Sequence, residues 1–93
     1  MAADASPLAI WARLSTFPLG YFTALYDSRR YGVSRSVHAD GRSMKLFAEE
    51  LGGADRISLN IYRPGTGGPA LKPCEMPIDE VTAFVLSAIP EIP

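Results

Sequence analysis

The chain carries one thiol and one imidazole, Cys74 and His38, so any nucleophile–base pair of that type must be built from these two residues. Cys74 stands in Lys72-Pro73-Cys74-Glu75-Met76-Pro77, just ahead of the place where a helix should begin. A helix N-terminus and a neighbouring lysine both favour thiolate, the reactive form, while Glu75 opposes it. The ordinary reading of a lone cysteine is different: it fills space in a core and does no chemistry. His38 falls near a hairpin tip on a polar face, where a solvated role is the ordinary one.

A second chemistry is spread over residues 28–45. Arg29, Arg30, Arg35, Arg42 and Lys45 face only Asp40 in that stretch, an excess of four positive charges. Extended chain places Arg30 and Lys45 on one sheet face with Phe47, and Arg56 and Tyr62 on the same face of the next strand. Cations that track phosphates and rings that stack on bases are the means by which single-stranded nucleic acids are held. The candidate ligand-binding set is therefore Arg30, Arg42, Lys45, Phe47, Arg56 and Tyr62. The competing reading is a solvated face neutralised in part by Glu49 and Glu50.

Other motifs are weak or absent. Gly65-Thr66-Gly67-Gly68 lacks the spacing of a phosphate-binding loop and reads as a linker. Glu49 and Glu50 are adjacent in a strand and point to opposite faces, so they do not form a catalytic carboxylate pair. No histidine–cysteine cluster has metal-ligand spacing, and neither a metal nor a cofactor is expected.

These residues need a framework, and Gly41–Tyr62 supplies its centre. Asp40-Gly41 is a hairpin turn signal. With that turn the register runs Val37–Met44, Arg35–Leu46, Val33–Ala48 and Tyr31–Glu50. Tyr31, Val33, Val37, Met44, Leu46 and Ala48 then form an apolar face, and Arg30, Ser34, Ser36, His38, Lys45, Phe47 and Glu49 the polar one. Arg35 lands among the apolar residues, which calls for a carboxylate partner, Glu50 or Glu75. Gly52-Gly53 reverses the chain into Arg56–Arg63, where Ile57, Leu59 and Ile61 alternate with Ser58, Asn60 and Tyr62.

Upstream, residues 1–5 read as a frayed tail. Ser6-Pro7 starts a short helix that should run to about Ser15 with Leu8, Trp11 and Leu14 on one stripe. Tyr21–Tyr26 is a first strand and Arg30–His38 a second. Downstream, Pro64–Pro69 is a loop and Ala70–Cys74 a short edge strand. Pro77 opens a helix to about Ala88, stopped by Pro90, with Ile78, Val81, Val85 and Ile89 as its packing stripe. The expected fold is a single two-layer α+β domain: a short N-terminal helix, an antiparallel meander of four to five strands, and a C-terminal helix packed on the sheet.

Composition agrees with that plan. A hydrophobic share of 47% against 20% charged residues is that of a globular domain, and a formal net charge of −1 excludes a generally polycationic protein. One cysteine allows no internal disulfide, which fits a reducing, cytoplasmic setting. The N-terminal residues lack the basic and long apolar regions of a secretory signal, and no membrane partner is expected.

Arg30-Tyr31-Gly32-Val33, Gly41-Arg42-Ser43, Leu46–Gly53, Ile57–Tyr62 and Leu71–Pro77 together resemble a family of short bacterial proteins. Most of that family is uncharacterised, and some members carry the label peptide methionine sulfoxide reductase. The resemblance covers about residues 20 to 87 and implies that Cys74 would be the nucleophile of a thiol-dependent reductase; His38, as the one histidine, is a catalytic candidate only if the protein is an enzyme. The Gly-Cys-Phe-Trp motif of the best-known reductases of that type is absent. In architecture alone the plan is similar to Pur-alpha-type and Whirly-type single-strand binders. Three functions therefore stand as expectations: a small binding module for single-stranded nucleic acid, a methionine sulfoxide reductase, and a structural partner that dimerises through a strand edge.

Overall fold

A computed structural model describes residues 7–63, 70–73 and 78–91. Helix α1 (Pro7–Leu14) is followed by strands β1 (Gly20–Tyr26), β2 (Arg29–His38), β3 (Ser43–Glu50), β4 (Arg56–Tyr62) and β5 (Ala70–Pro73), helix α2 (Ile78–Ser87) and a last strand β6 (Ile89–Glu91). The strands form one antiparallel sheet in the order β5-β4-β3-β2-β1-β6. This is the expected α+β meander with one strand added. Ser6, the loop 64–69, Cys74, Glu75 and Pro77 lie outside the described residues.

Turn chemistry sets the register. Asp27 and Ser28 both have positive φ, 53° and 61°, which closes β1 and β2 with a two-residue turn of the hand that matches strand twist. At the next corner Ala39, Asp40 and Gly41 all have positive φ, and the Gly41 and Arg42 amides donate to the His38 and Ala39 carbonyls. Pairing then runs Val37–Met44, Arg35–Leu46, Val33–Ala48 and Tyr31–Glu50, as the Asp40-Gly41 turn requires. β4 continues it, with Leu46 opposite Leu59 and Ala48 opposite Ile57.

Alternation buries one face. Phe22, Ala24, Tyr31, Val33, Met44, Leu46, Ala48, Ile57, Leu59 and Ile61 join Ile10, Leu14, Phe17, Val81, Phe84, Val85 and Ala88 in a single core. Both helices therefore cover the same face. The stripes differ from the sequence expectation. α1 buries Ile10 and Leu14 and leaves Leu8 63% exposed, while Trp11 is only partly buried. α2 buries Val81 and Val85 as expected, together with Phe84, but it ends at Ser87; Ala88 is buried just past it, and Ile89 begins β6, where it is exposed. Val37, expected in the apolar row, is 39% exposed near the hairpin tip.

α1 and α2 are joined by a cap. Arg13 Nε donates to the Val85 carbonyl at 3.3 Å and Nη2 to the Ala88 carbonyl at 2.7 Å. A cation thus meets the negative end of α2, whose final carbonyls have no helical donor. Its guanidinium also lies 5.3 Å from the Phe17 ring centre. Arg13→Met keeps the stem but removes both donors, so urea unfolding should show a loss of about 2 kcal/mol. A loss below about 0.5 kcal/mol would mean that water caps α2 as well.

Candidate functional site

The sheet face turned away from the helices holds the candidate residues. Reading across the strands in register, Tyr21, Ser34, Phe47 and Ser58 form one row, and Ser36, Lys45 and Asn60 the row beside it. On the other side lie Thr23, Gly32, Glu49 and Arg56. Small residues keep this surface low, and two rings stand on it: Tyr21 is 67% and Phe47 41% exposed. They flank Ser34 from opposite sides, two strand spacings or about 10 Å apart. Gly32 explains how Tyr21 rests there. A Cβ on Gly32 would lie 2.6 Å from the Tyr21 hydroxyl oxygen and 3.2 Å from two ring atoms. The tyrosine therefore lies across the glycine, against the backbone.

Of the expected set, Lys45 and Arg56 are exposed on this face and Tyr62 is half-buried opposite Ser43. Arg30 is there too, but its Nε donates to Glu91 Oε1 at 3.0 Å. This hydrogen bond, helped by one from Thr23, holds the Glu91 carboxyl below its usual range. Arg42 sits in the hairpin corner, where its Nε donates to the Ala39 carbonyl at 3.4 Å. Tyr21 was not among the expected residues. Its signal was present in the alternation of β1, which puts Tyr21 opposite Ser34 as soon as the Asp27-Ser28 turn is placed.

His38 is exposed on the open face, with its Nε2 2.8 Å from Ser36 Oγ. Cys74 lies outside the described residues. No cluster of three or more histidine, cysteine or acidic residues fit to hold a metal ion occurs among the described residues.

On the helix side, a cleft of about 210 Å³ is lined by Tyr26, Asp27, Arg29, Tyr31, Asp55, Ile57 and Glu80. Its polar groups are partly committed: Tyr31 donates its hydroxyl to Asp55 Oδ2 at 2.6 Å, and Arg29 meets Glu50 at 3.5 Å. Burial, with the hydrogen bond to Asp55 second, raises the Tyr31 hydroxyl well above its ordinary value of 10.0.

Arg35 is buried, as the register demands, but among the described residues it meets no carboxylate. Its Nη1 donates to the Phe17 carbonyl at 3.0 Å and its Nη2 to Met44 Sδ at 3.2 Å, while Nε has no partner. Glu50, one of the two expected partners, is taken by Arg29. Desolvation accordingly pulls the Arg35 guanidinium below its ordinary value.

Comparison with protein-family models, with curated proteins and with solved structures finds no match. Among the described residues no helix is long and apolar enough to cross a membrane.

Proposed function

We propose that this domain is a small cytoplasmic binding module that holds single-stranded nucleic acid on its open sheet face. The observation that carries the reading is the pair of exposed rings, Tyr21 and Phe47, standing either side of Ser34 on a face that neither helix covers. Bases present π-faces whatever their identity, so two such rings form a sequence-tolerant stacking platform, worth about 1–3 kcal/mol for each stacked base. Lys45 and Arg56 stand on either side of that row as phosphate contacts, and Tyr62 lies further along β4. Arg30 contributes less, because Glu91 already neutralises it. Stacking therefore carries more of the binding than charge.

That balance sets the expected measurement. Fluorescence anisotropy with labelled single-stranded oligonucleotides should show binding at low salt that weakens with a log–log slope of roughly −1.4, as the two phosphate contacts Lys45 and Arg56 require. Phe47→Ala, on an exposed position that spares the core, should weaken binding about tenfold or more. Absence of binding at low salt, a slope near zero, or an unchanged Phe47→Ala affinity would each end the nucleic-acid reading.

A further inference from the structure

Along β3 the open face reads Lys45, Phe47, Glu49, all three exposed. Phe47 is the centre, and the two charges are of opposite sign, each two residues away. Lys45 and Glu49 are thus about 14 Å apart, one at each end of an apolar step. Among the described residues the ion pairs are Arg29–Glu50 and Arg30–Glu91 and involve neither Lys45 nor Glu49, although Arg56 is the cross-strand neighbour of Glu49. Tyr21 lies in the same cross-strand row as Phe47, so both rings fall on one line perpendicular to the strands.

We infer that this face also takes a second copy of the chain. A two-fold axis laid along the row Tyr21–Ser34–Phe47–Ser58 turns the face onto itself. Phe47 then meets the Phe47 position of the second copy, Tyr21 meets Tyr21, and each Lys45 falls on a Glu49 position. Each Lys45 thus meets a Glu49, as an isologous interface requires, while Arg56, which stands beside Glu49, turns onto the Asn60 position of the second copy. β3 of the two copies runs antiparallel across the interface, the aligned class of sheet-on-sheet packing at about 10 Å separation. Four strands of seven residues present a flat face of roughly 450 Å², below the roughly 800 Å² per partner of a standard interface. The dimer is therefore reversible, with a Kd in the micromolar range.

The alternative, pairing along a strand edge, is less favoured on one side. β6 already occupies the outer edge of β1, through pairs from Leu25–Ile89 to Thr23–Glu91. A face dimer and a bound strand would compete for Phe47, but the self-association measurement contains no nucleic acid and stands or falls alone.

Sedimentation velocity of the full chain from about 1 to 300 μM is the test, covering the micromolar range in which such a small interface associates. The wild type should shift from monomer to dimer across that range. Lys45→Glu and Glu49→Lys should each stay monomeric, since each sets like charges against one another twice per dimer. Mixed one to one, the two variants should recover the dimer, because every contact is then again of opposite sign. A wild type that stays monomeric throughout overturns the inference. So does a dimer that survives both single variants, which would place the contact at an edge, or a mixture that fails to associate.

Discussion

Phe84→Ala should cost about 4 kcal/mol, a large part of the 5–15 kcal/mol that holds a domain of this size together. The residue is fully buried on α2, and it is the point at which the helix meets the first hairpin. Its ring lies 5.0 Å from that of Tyr26 and 5.2 Å from that of Tyr31, and those two are 5.9 Å apart, all edge-on. Truncation removes the transfer energy of a whole ring and both edge contacts, and it leaves a cavity roofed by a rigid helix. Collapse is restricted because Tyr31 is tied by its hydroxyl to Asp55. Phe84→Leu keeps most of the volume and should cost about half as much. The check is urea unfolding with the slope unchanged between variants, so that the midpoint reports stability alone. A loss for Phe84→Ala below about 1.5 kcal/mol would show that α2 is held by Val81 and Val85, not by the ring cluster.

Turn chemistry and period-two alternation are local, and so they were legible. Asp40-Gly41 predicted the partners of Val33, Arg35 and Val37 correctly, and with them the assignment of Lys45, Phe47 and Glu49 to the open face. The helices were less legible. In α1 the positions Leu8, Trp11 and Leu14 fit a helical stripe as well as Ile10 and Leu14 do, and only the position of the sheet decides between them. β6 was hidden because Pro90 reads as a helix stop. The same proline is tolerated in an edge strand, where its missing donor faces away from the ladder.

Arg35 shows the limit of reasoning from residue type. A buried cation calls for a carboxylate by the cost of its desolvation, yet a backbone carbonyl and a thioether receive two of its donors here. The Phe17 carbonyl is free to accept because α1 ends at Leu14 and the Phe17 amide has turned back to Leu14. The geometry of a helix exit therefore determines the partner, and nothing in the composition of β2 carries that information. Arg13 is the converse case: its spacing within α1 gave no hint that it would cap α2, 72 residues away at Val85.

Tyr31 should make the protein sensitive to alkali in a way that can be traced to one hydroxyl. Burial and the hydrogen bond to Asp55 raise its folded value above the ordinary 10.0 of the unfolded chain. Below about pH 10 the group is protonated in both states and adds no pH dependence. Above it, the unfolded chain releases a proton that the folded chain retains. Stability then falls by about 1.4 kcal/mol for each pH unit, until the raised value is passed. Tyr31→Phe removes this proton from both states. At pH 8 the variant should be about 1 kcal/mol less stable than the wild type, since Asp55 loses its donor. At pH 11.5 the wild type will have lost stability through this group alone, so the gap between the two should have narrowed. Lysine deprotonation acts on both proteins alike and cancels in the difference. Chemical unfolding of the pair at pH 8, 10 and 11.5 measures that difference directly. A gap that stays constant across the three would mean that Tyr31 titrates in the folded protein as it does in the unfolded one.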